Sequence, residues 1–312
     1  MNDFRESLLV LISVPIYAII IGIEIFYSYF KHKNLYSSKG VFSNIYLSAL
    51  NMCLDILVRG ACLILLNYFY RFHVADFSYN SILYWGVLVI CEDFMYYWLH
   101  RIDHYCRFFW AVHVTHHSSE EFNFTVGFRS SVFQPLYRFI YFIPLSFLGF
   151  KGIDIMLVYS ATQLFGVLVH TQAVNKLGFL EYILITPSHH RVHHGSNVRY
   201  LDKNMGMLLI VWDKLFGTFQ KEEVSNPVKF GLTANINSFN PVTMVFHEWK
   251  NIFKDLKKKC SPVQKLGYVF GPPGWSHDGS TKTSSELRKE LELTEKTNSK
   301  TNINLYKELN VD

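Results

Sequence analysis

The chain has 312 residues, of which 50% are hydrophobic and 17% aromatic, with 30 basic and 25 acidic residues. The net charge of +5 is mild, and no DNA-binding motif accompanies the lysines near residues 250–265, which argues against a nucleic-acid partner and leaves anionic lipid or a solvated basic face. Five cysteines without a CxxC spacing predict neither a disulfide framework nor sulfur ligation of a metal. The apolar residues lie in long runs, which predicts an all-α integral membrane protein.

The apolar runs, taken in chain order, predict a multi-pass bundle. Residues 8–30, 44–70 and 81–99 give three spans, and residues 132–150 and 153–170 give two more, for about four to five transmembrane helices of ~20 residues each. Glu24 in the first span is expected to face other helices. Asp55 and Arg59 in the second span are four residues apart, which predicts an ion pair on one helix face.

The lysines predict which side of the membrane each loop faces. Lys31, Lys33 and Lys39 lie between the first two spans, so this loop is predicted to be cytoplasmic. Counting spans then places the segments after residues 99 and 170 on the same cytoplasmic side. The membrane is the endoplasmic reticulum if the organism is eukaryotic, and the inner membrane if it is bacterial.

The pattern changes after residue 170. Residues 206–219 are apolar but too short to span, and residues 242–256 have the spacing of an amphipathic helix, on a membrane surface or against a soluble core. From residue 280 the chain is polar, which predicts a disordered tail with a short helix at 284–296. We therefore divide the chain into N-terminal membrane helices (1–79), a histidine-rich domain (80–220), an interfacial region (221–279) and a tail (280–312).

Most of the histidines fall into three tight groups. Their spacings are i, i+4 in the first group and i, i+3, i+4 in the other two, which places each group on one face of a helix. The groups are His100 and His104; His113, His116 and His117; and His190, His193 and His194. His170 stands alone at the end of the fifth predicted span, and His189 precedes His193 by four residues.

The number of grouped histidines indicates two metal ions. Eight imidazoles exceed the three or four ligands of one zinc site and suit two ions with open positions. Imidazole binds iron, zinc and copper, and the membrane setting without a cysteine ligand favours iron. A metal transporter is a remote alternative, because transport ligands lie near the bilayer midplane, whereas these groups lie at helix ends.

The groups have the forms HxxxH, HxxHH and HxxHH, and over roughly residues 80–220 the chain resembles the fatty acid hydroxylase/sterol desaturase superfamily. The stretches 96–101, 110–120, 186–195 and 212–219 resemble its alkylglycerol monooxygenase branch. This resemblance implies membrane enzymes that use molecular oxygen, with a cytosolic helical cap holding a non-haem di-iron site on the helix bundle.

The resemblance also implies roles for individual residues. It makes metal ligands of His100, His104, His113, His116, His117, His170, His190, His193 and His194, and leaves His189 open. Glu120 and Glu121 either orient a histidine or are exposed, and Asp103 is either solvated or supports a ligand. Arg129 and Arg191 either bind a lipid phosphate or pair structurally. Asn204 and Asp213 are expected to fix the fold around the third group.

The implied activity is hydroxylation of a lipid C–H bond. Its most specific form is cleavage of an O-alkylglycerol ether to a fatty aldehyde and a glycerol derivative. The alternatives are a sterol desaturase or C-4 methyl oxidase, and a fatty acid hydroxylase. The implied cofactors are two iron ions with oxygen as co-substrate. The lipid enters from the bilayer, and electrons come from an external donor, either tetrahydrobiopterin or cytochrome b5 with its reductase.

Overall fold

The computed structural model describes residues 2–77 and 81–309. Within these residues the regular structure is helical, and the only β-pairing consists of isolated bridges at Leu184–Leu209 and Gly195–Phe230. The α-helices are α1 (Asn2–Phe30), α2 (Ser38–Tyr70), α3 (Ile82–Tyr105), α4 (Arg107–His117), α5 (Ile143–Leu148), α6 (Gly152–Leu168), α7 (Pro187–His193), α8 (Val211–Leu215), α9 (Pro241–Leu256), α10 (Pro262–Phe270) and α11 (Ser284–Leu309).

Three of the described helices, α1, α2 and α3, are long and apolar enough to cross a membrane. The 24 residues of α3 extend ~36 Å at 1.5 Å per residue, which exceeds the ~30 Å hydrocarbon core. Ser37 and Ser81 begin α2 and α3 by accepting hydrogen bonds from the backbone N–H groups of Gly40 and Tyr84. The expectation of an all-helical membrane fold is thus supported.

The fourth predicted span is not one continuous helix. Residues 134–142 form 3-10 turns, and the short α5 follows. Pro135 and Pro144 lie in the first turns of their helical segments, where proline is tolerated because its missing N–H has no partner there. Gly149 then ends α5 with a φ of 107°. The predicted count of four to five spanning helices is therefore not confirmed.

The chain nevertheless passes between the two ends of the bundle in this region. At one end the N–H of Val74 donates to the carbonyl of Phe147, 2.9 Å away. From there α6 returns over 17 residues, and the Tyr17 hydroxyl donates to the Leu164 carbonyl at 2.7 Å. His170 follows two residues after α6 ends, and this passage brings it back to the end of the bundle where α3 finishes.

The polar residues inside the spans are paired as expected. Arg59 donates to Asp55 at 2.9 Å, which confirms the predicted i, i+4 pair, and Asp55 also contacts Arg138. Glu24 is buried and accepts hydrogen bonds from the Phe124 N–H at 2.9 Å and from the Thr171 hydroxyl. These contacts tie α1 and α2 to the chain that surrounds the histidines.

The C-terminal helices cover the histidine-rich end of the bundle. The amphipathic segment predicted at 242–256 is α9, which packs against α4 and buries Met244, Val245 and Ile252. In the tail, α11 begins at Ser284, where the short helix predicted at 284–296 also begins, and continues to Leu309. Thr283 and Glu286 exchange side-chain to backbone hydrogen bonds at the start of α11, a reciprocal cap that fixes its first turn.

Candidate metal centre

The first two histidine groups lie on consecutive helices. His100 and His104 occupy the last two turns of α3, and His113, His116 and His117 occupy the second half of α4. Cys106 separates the helices with an extended backbone, φ −118° and ψ 118°. The chain therefore turns between the two groups, and α4 packs directly against α3.

The third group begins with a capped helix. Thr186 is the N-cap of α7, and the side chain of His189 accepts a hydrogen bond from the Thr186 N–H in return. His190 and His193 lie within α7, and His194 is its C-cap residue. His189, which the sequence left open as a ligand, lies outside both clusters of histidine nitrogens and instead caps the helix.

The structure brings all nine predicted histidines together in two clusters. In each cluster every histidine offers a ring nitrogen within 4.8 Å of the others. The first cluster consists of His100, His104, His113, His117 and His193, and the second of His116, His170, His190 and His194. Adjacent helical residues point about 100° apart, which explains why the neighbours His116 and His117 enter different clusters.

The outward ring nitrogens donate to fixed acceptors. Since a carbonyl can only accept, the Nδ1 atom facing it carries the proton and the Nε2 lone pair is left free. The pairs and their Nδ1–oxygen distances are His100 with Met205 (2.8 Å), His193 with Lys203 (2.9 Å), His116 with Arg129 (2.7 Å) and His170 with Gly166 (2.7 Å). These hydrogen bonds fix both the tautomer and the orientation of each ring.

The inward nitrogens face one another. The Nε2–Nε2 distances are 3.1 Å for His100–His113, 3.2 Å for His104–His117 and 2.9 Å for His170–His190. The Nε2 atoms of His193 and His194 are buried without a hydrogen-bond partner among the described residues. Converging, unprotonated imidazole nitrogens in a buried space are the donor set that a first-row transition-metal ion requires, so the residues fit a metal pair.

Burial favours the neutral form of several of these imidazoles. It lowers the pKa of His113, His117 and His193 well below the ordinary value, and the neighbouring imidazoles lower it further. Burial lowers the pKa of His116 to about 4. The neutral ring is the form that binds metal, so the site need not lose protons at neutral pH before an ion enters.

Two carboxylates lie against the first cluster. Asp103 is fully buried, accepts hydrogen bonds from the Tyr137 hydroxyl at 2.7 Å and the Gln134 amide at 2.8 Å, and lies 3.7 Å from Nδ1 of His113. The solvated alternative for Asp103 is therefore wrong. Asp202, which the sequence did not assign a role, lies 3.2 Å from Nδ1 of His104.

Asp213 and Asn204 hold the backbone that supports the rings. Asp213 accepts from the N–H groups of Met205 at 2.6 Å and Gly206 at 2.9 Å, so it positions the Met205 carbonyl without touching a histidine. Asn204 donates to the carbonyls of His189 at 3.0 Å and Gln220 at 2.8 Å. The expected role of both residues in fixing the fold around the third group agrees with these contacts.

The two arginines are used structurally. Arg191 pairs with Glu222 at 2.7 Å, and buried Arg129 donates to the Thr115 carbonyl at 2.8 Å. Glu121 accepts from the Ser37 N–H at 3.2 Å, Glu120 is exposed, and neither belongs to a histidine cluster.

Sequence reasoning missed two consecutive acids in α3. Asp93 is buried and accepts from the N–H groups of Leu208 at 2.8 Å and Leu209 at 3.0 Å, and from the Trp212 indole at 2.8 Å. It thereby anchors the loop that precedes α8. Glu92 is also buried, with one oxygen 3.3 Å from the Thr162 hydroxyl. The available signal was a pair of ionisable residues inside an apolar span.

A comparison with protein families shows what the histidine-rich domain is similar to. The family model for fatty acid hydroxylases matches residues 85–218, which include all nine clustered histidines. Residues 85–218 thus form a domain that is similar to fatty acid hydroxylases.

Several individual proteins are also similar to this chain. The chain is 41% identical to human alkylglycerol monooxygenase over 192 residues, covering 61% of this chain and 42% of that protein. It is 37% identical to the Caenorhabditis elegans alkylglycerol monooxygenase over 215 residues, covering 66% and 42%. An ornithine lipid hydroxylase of Rhizobium tropici is 30% identical over 150 residues, covering 48% and 45%. The chain thus spans less than half the length of these relatives, and no solved structure matches it.

Proposed function

We propose that this protein is a membrane-bound, oxygen-dependent di-iron monooxygenase that cleaves the ether bond of 1-O-alkylglycerols. The observation that carries the proposal is the pair of buried histidine clusters at the end of an apolar helix bundle. One cluster contains five imidazoles and the other contains four. The identity to proteins named alkylglycerol monooxygenase supports the choice of substrate.

The donor set supports two iron ions over zinc. His100, His104, His113, His117 and His193 would hold one ion, and His116, His170, His190 and His194 the other. The five nitrogen donors of the first cluster exceed the four of a closed zinc site, which favours iron there. When bound, the iron pair would supply the reductive activation of oxygen needed to attack an unactivated C–H bond.

The protein's own groups prepare this chemistry. The outward hydrogen bonds to carbonyls hold the rings in place before any ion binds, and the carboxyl groups of Asp103 and Asp202 lie beside His113 and His104. The overall reaction consumes one oxygen molecule, two electrons and two protons, and yields water and a hydroxyl group on the carbon next to the ether oxygen. The resulting hemiacetal separates into a fatty aldehyde and glycerol. We propose an external electron donor, either tetrahydrobiopterin or cytochrome b5 with its reductase.

We also propose that the clusters face the cytoplasm and that α9 lies on that membrane surface. Val242, Phe246 and Phe253 form an exposed apolar stripe along α9, and Lys250 and Lys254 lie beside it. This combination is typical of a helix that lies in the interface of an anionic leaflet. The membrane is the endoplasmic reticulum in a eukaryote or the inner membrane in a bacterium.

The direct test is turnover of a 1-O-alkylglycerol by purified, iron-loaded protein. Fatty aldehyde that forms only with iron, oxygen and tetrahydrobiopterin supports the proposal. Iron bound near two ions per chain without aldehyde would contradict the ether substrate and keep the di-iron lipid oxidase. Sterols and fatty acyl lipids would then be tested, because a relative named Delta(7)-sterol 5(6)-desaturase from Aspergillus fumigatus is 27% identical over 158 residues.

A further inference from the structure

A cavity of about 410 Å³ opens beside the first histidine cluster. Its inner surface includes His104, His117 and His193, so a molecule inside it would lie against the proposed ion. Arg107 and Trp110 of α4 form part of one wall. The volume lies within the ~300–1,000 Å³ that is usual for small-molecule sites.

Much of the opposite wall comes from residues outside the fatty acid hydroxylase match. Segments 231–234, 247–258 and 273–287 contribute lining residues, and all of them follow residue 218. Their polar side chains include Glu248, Asn251, Asp255, Thr281 and Ser284. The histidine clusters thus belong to the family domain, whereas the shape and polarity of this cavity are set by the segment after it.

The polar wall is organised around one buried cation. Arg107 donates to Glu248 and to Asp255, each at 2.7 Å, and Asn251 donates to Glu248 at 2.8 Å. A carboxylate offers about four lone-pair sites, so both acids retain acceptor capacity after these contacts. Fixed carboxylates and an amide are suitable partners for neighbouring hydroxyl groups.

We propose that this cavity binds the glycerol end of the substrate, an inference that rests on the proposed function. The carbon to be oxidised is bonded to the ether oxygen, so the glycerol must lie next to the ions when the reaction occurs. Its two hydroxyls need hydrogen-bond partners once they leave water. The α9 wall supplies such partners, among them Glu248, Asn251 and Asp255.

The test uses 1-O-butylglycerol, which keeps the glycerol and the ether bond but has a short chain. Its binding to the purified full chain is followed by tryptophan fluorescence, because Trp110 and Trp275 line the cavity. Asn251→Leu removes one polar partner, and Ala234→Phe fills part of the cavity. Asn175→Leu, at an exposed position that does not line the cavity, is the matched control.

We expect Asn251→Leu to raise both the Kd for 1-O-butylglycerol and the KM for a long-chain 1-O-alkylglycerol about tenfold, the effect of about 1.4 kcal/mol. Ala234→Phe should abolish binding, and Asn175→Leu should change neither constant. If wild-type protein turns over alkylglycerol while both cavity variants keep its Kd and KM, the assignment of the cavity is wrong. A rise confined to the KM for the reductant would also overturn it. Absence of turnover in the wild type contradicts the proposed function instead.

Discussion

The histidine clusters and the C-terminal wall of the cavity are held in different ways. Rings such as His100 and His193 are buried and fixed by carbonyls from distant loops. On the wall, Glu248 and Asp255 are partly exposed and depend mainly on Arg107. The difference indicates that the positions of the rings, and with them the chemistry, are nearly fixed, whereas the residues of the wall can vary to suit a substrate.

The largest effect is expected from loss of a proposed ligand. His113→Ala and His193→Ala each remove one inward nitrogen from the first cluster. Activity should fall by more than the ~10–100-fold typical of losing a group that merely supports a ligand. The measurements are aldehyde formation and iron per chain in protein that still inserts into membranes. Full activity in both variants would rule out the assignment of the clusters.

A smaller effect is expected when the support for a ligand is weakened. Asp103→Asn keeps the size of the side chain but replaces the carboxyl group next to His113 with an amide. Iron affinity and activity should each fall ~10–100-fold. The measurement is a competition titration with a chelator, with exposed Asp278→Asn as the control. Unchanged affinity in Asp103→Asn would show that the carbonyl partners alone orient the rings.

On the C-terminal side, the attraction between α9 and the membrane surface should have a modest effect on the apparent KM. Lys250→Glu and Lys254→Glu reverse the charge beside the apolar stripe of α9. Each lysine near an anionic surface contributes ~1 kcal/mol, so loss of the lysine alone should raise the apparent KM in anionic nanodiscs roughly fivefold per substitution, and the added carboxylate should raise it further. It should change little in neutral nanodiscs. Lys289→Glu on α11 is the control, and an equal response there would argue against a specific role of α9.

The smallest effect concerns pH. Burial opposes ionisation of Asp255, but its hydrogen bonds with Lys258 and Arg107 outweigh this and leave its pKa below the ordinary 3.8. The ionised form therefore adds stability above pH 3.8, and this stability is lost as the pH falls through the lower folded pKa. Asp255→Asn should cost on the order of 1 kcal/mol or less near neutrality. Thermal unfolding should show the difference shrinking below pH 3.8, and a constant difference would contradict the ionic origin.

Histidine spacing predicted the site because helical geometry is local. The i, i+4 relation of His100 and His104 needs only a helix, and α3 provides it. The sequence did not reveal that His116 and His117 enter different clusters, because this depends on where α7 and His170 lie. The sequence also did not identify the Met205 and Lys203 carbonyls as partners of the rings. Every residue has a carbonyl, and only the folded loop determines which ones face a ring.

The fold could likewise be predicted only where the local sequence decides the structure. Hydropathy identified α1, α2 and α3, because length and composition suffice for a span. It did not predict the 3-10 turns at 134–142, where an apolar composition similar to that of a span is interrupted by proline. For α11 the sequence indicated the start of a helix at residue 284 but not its continuation to Leu309. The reciprocal contacts of Thr283 and Glu286 fix its first turn.

Two peptide bonds connect the clusters directly. His116 and His117 on α4, and His193 and His194 at the end of α7, each send one imidazole to either cluster. The separation of the two clusters is therefore linked covalently to helical twist at two independent points. Changing that separation requires unwinding a turn of α4 and the end of α7 together. The pitch of these helices thus fixes the distance between the proposed ion positions before any ion binds.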